Sequence, residues 1–391
     1  MTELSRHLFW GMQILIEQKW VRDHAVVVEG GAIKAILQKD KIKNYLPAIR
    51  HEFPADYYLI PGLIDLHIHG ANGNDVMDGT IDALAAISCA LAVEGVTGFL
   101  ATTMTADSGR IEMALKAISA AMLNKEGAAI LGAHLEGPFI SRAKMGAQRG
   151  DVTQLPDIKL ISQWQDVAKG VIKLVTVAPE LPGALSLIKA LCNMGVIASV
   201  GHTNATYVQT CDAIMAGCSQ ATHLFNAMRG LHQREPGAVG ALLLSTEVHA
   251  ELIVDGLHLH PAIVELALRL KGKERLLLVT DAMRAKCLSD GQYELGGQTV
   301  TVCSHKVTLE DGTLAGSTLR MPQAIKNMVQ FTQCALEDAI GMASFNPARV
   351  LGIADRKGTI AIGNDADLVV MNTLFDVVLT MREGILVFRS S

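Results

Sequence analysis

No C-x-x-C pair occurs among the seven cysteines, no apolar run reaches bilayer length, and no block of like charge interrupts the chain. The cysteines (Cys89, Cys192, Cys211, Cys218, Cys287, Cys303 and Cys334) are odd in number and dispersed. That pattern argues against a disulfide framework or a zinc ribbon, and they read as small core hydrophobes. Lys and Arg are scattered and the formal net charge is −5, so there is no track for nucleic acid and no polybasic patch for a membrane. An anionic substrate would have to be held by a few local groups. The opening stretch MTELSRHLFWGMQIL mixes acid and base and lacks a long apolar core before a small-residue cleavage site. The expectation is a soluble, cytoplasmic protein. Internal repeats and low-complexity segments are also lacking.

What the 391 residues do contain is apolar: half are hydrophobic, enough for one large core and a smaller satellite domain. From about Leu63 onward, short β-branched runs alternate with longer helical patterns, the sign of βα units around a parallel sheet. The candidate strands are LIDLHI (63–68), VTGFLATT (96–103), ILGAHLE (130–136), IKLVTVA (172–178), VIASVGH (196–202), QATHLF (220–225), AELIVD (250–255) and RLLLVTD (275–281). Eight such strands predict an α/β fold, a (β/α)8 TIM barrel. Between them, TIDALAAISCALAVEG offers Thr80 as N-cap and Gly95 as stop, and ELPGALSLIKALCNMG closes on Gly195. The gap from Asn226 to about Thr246 is too rich in Gly and Pro for a simple crossover and reads as an elaborated βα loop. Both ends of the chain carry short strand-like pieces without long helices. They predict one small β-sandwich domain from residues 1–60 plus 356–391, flanking a barrel of residues 61–355.

In such a barrel the chemistry sits at the C-terminal ends of the strands. In PGLIDLHIHG, His67 and His69 end the first strand, and side chains two apart on a strand share a face. His134 and Glu136 end the third strand, His202 the fifth and Asp281 the eighth; His223 lies late in the sixth, and His258 and His260 follow the seventh. Each has a plain structural alternative. A lone strand histidine such as His134 is more often a hydrogen-bonded core residue, an acid such as Glu136 can be a buried partner of an arginine, and Asp281 can be the N-cap of a following helix. Their clustering at one end of one barrel favours a metal site. Imidazoles with a carboxylate suit Zn²⁺ or a similar divalent ion, and Glu136, His202 and His223 supply three ligands with one position open. His67 and His69 would hold a second ion, with Glu136 bridging, so one or two ions per subunit are expected. Asp281 would move the proton in a metal-assisted hydrolysis.

The ordered set PGLIDLHIHG, GAHLEGPFIS, APE (178–180), GHTNATY, ATHLFNAM, REPG, DGLHLHP, VTDAM, GTLAGSTL and GTIAIGNDADLVV resembles the amidohydrolase superfamily. Within it, the chain is similar to the N-acetylglucosamine-6-phosphate deacetylases over essentially its whole length. The resemblance implies metal-dependent release of acetate from an N-acetylamino-sugar 6-phosphate, giving glucosamine 6-phosphate from the gluco substrate. It implies Glu136, His202 and His223 as metal ligands and Asp281 as general acid/base. It also implies His258, Asn226, Ala227 and Arg234 as sugar and phosphate contacts, with Arg234 reaching the neighbouring active site of a homodimer. In KMGAQRG, Gln148 stands where the family usually has a histidine that steadies the substrate carbonyl; its amide can donate but carries no positive charge. The galacto epimer is an alternative substrate. A cyclic amide or deaminated base is a second, against which REPG, FNAM and Glu136 in place of a bridging lysine all count. A catalytically dead scaffold is a third, against which the intact set of ligands counts.

Overall fold

The computed structural model describes residues 6–390. The expectations that fall on residues 1–5 and 391, the first residues of the opening stretch and the extreme ends of the small domain, lie outside the described residues.

All eight expected barrel strands are present: Leu63–Ile68, Val96–Thr103, Ala129–Glu136, Ile172–Val177, Ile197–Val200, Gln220–Ala221, His249–Leu252 and Leu276–Leu278. They are numbered below first to eighth. They form one parallel sheet in chain order, and nearly every residue in it is buried. Burial on both faces explains why these segments read as near-continuous apolar runs. The sixth strand is only two residues long because the chain turns immediately after it, at Thr222 and His223. The first and eighth strands are not joined by a ladder. The seam is closed by a parallel bridge between Ile68 and Ala282, by Asp281 N–H donating to His67 O (2.9 Å) and by His69 N–H donating to Ala282 O (2.9 Å). Buried Asp65 reinforces it, with Oδ2 accepting from Thr280 Oγ (2.5 Å) and Oδ1 from Thr280 N–H (3.3 Å).

The helices follow their capping signals. Ile81–Val93 starts behind Thr80, whose hydroxyl accepts from Ala83 N–H (3.2 Å), and Ala184–Asn193 ends before Gly195 at φ 70°. Two features depart from the sequence reading. The stretch GAVGALLL is a helix, Gly237–Leu244, so the elaborated loop ends in a short buried crossover. Between the eighth strand and the helix Met321–Thr332, a three-stranded antiparallel insert (Gly291–Leu295, Gln298–Cys303, Lys306–Thr308) leans on the barrel mouth. Among the described residues no helix is long and apolar enough to cross a membrane.

The β-sandwich is assembled from both ends of the chain. One sheet holds His7–Trp10, His24–Glu29, Ala32–Gln38 and Ile49–Glu52; in the other, Tyr58–Pro61 pairs antiparallel with Leu368–Met371. Phe9, Val26, Leu59, Leu368 and Leu379 pack between the sheets. In GTIAIGNDADLVV, Asp365 and Asp367 are both held at 2.8 Å by buried Lys357.

On the inner face, His51 stacks on Phe9 at 4.4 Å between ring centroids and sits 2.9 Å from His7 Nδ1. Burial, with the charges of His7 and Arg389 adding to it, lowers the His51 pKa to about 4. The unfolded chain takes up a proton near the ordinary value of about 6.5 while the folded domain stays neutral. Stability is therefore full above about pH 6.5 and falls as the pH drops toward 4. In His51→Leu, the loss of melting temperature between pH 7.5 and pH 5, measured by calorimetry, is expected to be smaller than in the unsubstituted protein. An equal loss would show that His51 is not the group responsible.

Candidate metal centre

The turns that follow the barrel strands aim the site. After Glu136, Gly137 adopts φ 89°, and a Cβ there would lie 2.0 Å from Thr105 Oγ, so no side chain fits. His202, His223 and Asp281 take left-handed backbone, with φ 46°, 32° and 47°. Non-glycine residues hold that conformation only under local restraint. The restraints are backbone hydrogen bonds: Ser141 N–H to His202 O (2.9 Å), His223 N–H to Glu251 Oε2 (3.0 Å), and Asp281 N–H to His67 O. Glu180 of APE ties down the GHTNATY loop by accepting from Thr203 Oγ (2.5 Å) and Asn204 N–H (2.6 Å).

Three groups of ligand atoms result: Glu136 with His202 and His223, His67 with His69 and Asp281, and a third that shares His67, with His134 and Glu251; the first two flank Glu136. Its Oε1 is 2.9 Å from His223 Nε2 and 3.1 Å from His202 Nε2, and its Oε2 is 3.2 Å from His69 Nε2. Asp281 Oδ1 is 3.4 Å from His67 Nε2 and 3.3 Å from His69 Nε2. The partners on the far side of three rings fix where their protons sit. His202 Nδ1 faces Lys144 O (2.9 Å), His69 Nδ1 faces Thr102 O (3.2 Å) and His67 Nδ1 faces Glu251 Oε2 (3.0 Å). Each acceptor requires N–H at Nδ1, which leaves the Nε2 lone pair pointing at the carboxylates. Bare lone pairs and two buried carboxylates crowded together repel, and a divalent cation between them removes the conflict. The donor set of imidazole and carboxylate fits such an ion.

Burial alone would lower both histidines of the first strand, but Glu136, Asp281 and Glu251 raise His67 well above its ordinary value, and hydrogen bonds that His69 donates to Asp281 and Glu136 raise it to about 9. Burial would likewise raise the two acids, yet the surrounding imidazoles hold Glu136 well below the usual carboxylate range and Asp281 below it as well. Both acids are therefore ionised and ready to accept.

The remaining expected residues separate into two sets. Gln148, Asn226, Ala227 and His258 line the same cavity of about 380 Å³ as Glu136, His202, His223 and Asp281. Arg234 is exposed and is not among the residues lining it. His260 caps the helix Pro261–Lys271 with its side chain. His134 is a core residue, hydrogen-bonded to Thr176 Oγ (2.8 Å) below His67. No helix directly follows Asp281, so it is not a cap.

The sequence reading missed Glu251 and Asp255. Glu251 is buried in the seventh strand; it orients His67, receives Gln220 Nε2 (2.5 Å) and pins His223. Its one signal was a carboxylate inside an apolar strand. Asp255 accepts from His258 Nδ1–H at 2.7 Å and from the backbone N–H of Leu257 and His258, both at 2.8 Å. Burial would lower His258, but Asp255 raises it overall. Its Nε2 is then available to the cavity.

The amidohydrolase family model matches residues 58–387. The N-acetylglucosamine-6-phosphate deacetylase of Bacillus subtilis (strain 168) is 43% identical over 383 residues, covering 96% of this chain and 96% of that protein. The N-acetylgalactosamine-6-phosphate deacetylase of Escherichia coli O157:H7 is 38% identical over 368 residues, covering 94% of this chain and 95% of that one. Among solved structures, the N-acetylglucosamine-6-phosphate deacetylase of Pasteurella multocida superposes with a TM-score of 0.92 at 30% identity, over 97% of this chain and 99% of that chain. Likeness of this extent, running through both the barrel and the sandwich, makes the protein a member of the amidohydrolase family, on the branch that holds the N-acetylglucosamine-6-phosphate deacetylases.

Proposed function

We propose that the protein is a metal-dependent deacetylase that hydrolyses N-acetylglucosamine 6-phosphate to glucosamine 6-phosphate and acetate in amino-sugar catabolism, in the cytoplasm. The observation that carries this reading is the convergence of Glu136, His202 and His223 with Asp281 in one cavity that Asn226, Ala227 and His258 also line. The cavity is of a size that suits a single sugar phosphate. Relatives at 43% and 39% identity over most of the chain are named for the gluco substrate, and one at 38% for the galacto epimer, which is the second reading.

Glu136, His202 and His223 would hold one divalent ion, Zn²⁺ being the ion that suits the donors best, and His67, His69 and Asp281 a second. When bound, such an ion supplies Lewis-acid chemistry toward water and the acetyl carbonyl. Asp281, ionised and facing the cavity, takes the proton from the attacking water and returns it to the departing amine nitrogen. His258, held by Asp255 through Nδ1–H, presents Nε2 to the sugar, and Asn226 and Ala227 frame the phosphate end. Arg234 stands exposed in the REPG loop, near the exposed apolar Leu231. An arginine and an apolar side chain on one surface loop suit contact with a second copy, whose phosphate subsite Arg234 would complete.

Metal-reconstituted protein is expected to release acetate from N-acetylglucosamine 6-phosphate faster than from its galacto epimer, and hardly at all from unphosphorylated N-acetylglucosamine. Asp281→Asn should lower kcat by about 10²–10⁴-fold. If metal is bound and none of the three sugars is turned over, the sugar-phosphate assignment fails. Asp255→Asn exchanges a charged acceptor for a neutral amide at His258 Nδ1 and should raise KM about tenfold or more with a smaller change in kcat. An unchanged KM would remove His258 from substrate binding. Arg234→Ala should raise KM for phosphorylated sugar only. Co-expression of Arg234→Ala with Asp281→Asn should give mixed dimers with one intact site, and turnover above that of either parent. Turnover no higher than the parents' would place Arg234 outside a shared site.

A further inference from the structure

Of the two oxygens of Glu136, Oε1 faces both ligand clusters and Oε2 faces only the second. Oε1 lies against His202 and His223, and also 3.4 Å from His67 Nε2. Oε2 lies 3.2 Å from His69 Nε2, on the side of the His67, His69 and Asp281 cluster. Oε1 is shared with His202 and His223, so Oε2 is the oxygen of Glu136 left for the second cluster alone. That oxygen already has a partner: Gln148 Nε2 donates to it at 2.6 Å.

The donor cannot be turned away. Thr105 backbone N–H donates to Gln148 Oε1 at 2.7 Å, and a backbone N–H is never an acceptor, so the amide oxygen must face Thr105 and the NH₂ must face Glu136. Gln148 is 3% exposed. The loop that carries it is fixed by Gln148 N–H to Met145 O (2.9 Å) and by Gln298 Nε2, from the antiparallel insert, to Ala147 O (2.7 Å). Flipping the amide would set an oxygen against a carboxylate and an NH₂ against an N–H, both inside a buried site.

We propose that Gln148 is a positioning residue that sets how many ions the centre holds. Resting on the metal-centre reading above, it assigns Oε1 of Glu136 to the ion of His202 and His223 and competes for Oε2 with the ion of His67, His69 and Asp281. A short hydrogen bond to a carboxylate oxygen draws on the electron density a cation would use and places a hydrogen where the cation would approach. The amide is neutral, so Glu136 keeps its full charge for the first ion. The result is one ion held tightly and a second held at least about tenfold more weakly, a change as large as partners of metal ligands make but opposite in sign, because this partner occupies the oxygen the second ion needs.

The test is a titration of chelator-stripped protein with Zn²⁺ alone, in competition with a chromophoric chelator, which reads two dissociation constants without any turnover. The unsubstituted protein is expected to show unequal constants. Gln148→Met keeps the length of the side chain and removes the donor; it should tighten the second constant about tenfold or more, and adding Asp281→Asn should abolish that gain. Gln148→Leu serves the same purpose if the first variant does not fold. Two equally tight ions in the unsubstituted protein, or a second constant unmoved by either variant, would overturn the role of Gln148. If neither variant folds, the unsubstituted protein decides alone: unequal constants support the role and equal ones end it. No Zn²⁺ bound at all is a different failure, since it removes the metal-centre reading itself.

Discussion

The structure depends on closing the seam between the first and eighth barrel strands. His67 and His69 come from one edge of the sheet and Asp281 from the other, and only closure brings them within 3.4 Å. Main-chain hydrogen bonds at His67, His69 and Asp281 make the closure, so the atoms that hold the barrel shut belong to the same residues whose side chains form one of the ligand groups. Beneath them, buried Asp65 reaches across to Thr280. Burial raises its pKa to about 6 while Lys286 and the Thr280 hydroxyl pull it back. Fold and site cannot be loosened independently here.

Below the centre the barrel is not filled with branched apolar side chains alone. His134, Thr176, Thr222 and Ser199 form one buried hydrogen-bonded chain, with links of 2.8, 2.8 and 2.6 Å, and Gln220, Glu251 and His67 form another. Buried polar groups are costly unless each is paired, and pairing makes the arrangement specific. Glu251 shows the use of that specificity. One carboxylate fixes the proton of His67 and the backbone of His223, two residues that both face Oε1 of Glu136.

What sequence could supply depended on the range of the interaction. The eight strands were legible because burial on both faces leaves an apolar run, and the helices because Thr80, Gly95 and Gly195 mark their ends by local chemistry. Glu136, His202, His223 and Asp281 were legible as a set because strand ends in a barrel share one rim. Glu251 was not, since one acid in an apolar strand looks the same whether it pairs with a distant histidine or a distant arginine. Asp255 was passed over in DGLHLH because the neighbouring histidines drew the reading. The insert at 291–308 carries no apolar run to mark it, since its strands of five, six and three residues are mostly exposed or half-buried. For Gln148, the sequence disclosed the residue but not its orientation, which Thr105 settles from another strand's turn.

The antiparallel pairing of Tyr58–Pro61 with Leu368–Met371 has a consequence for how the molecule is made. The strand that leads directly into the first barrel strand finds this neighbour only after nearly the whole chain has been synthesised. Until then, one edge of the sheet containing Gln13–Ile16 remains open, and Phe9 and Val26 of the opposing sheet have no Leu368 or Leu379 to pack against. Loop closure over so long a separation is slow, so on a ribosome the barrel's helices and strands can collapse first while the sandwich waits. The small domain is then the last part to form, although its strands from His7 to Pro61 are translated before the barrel.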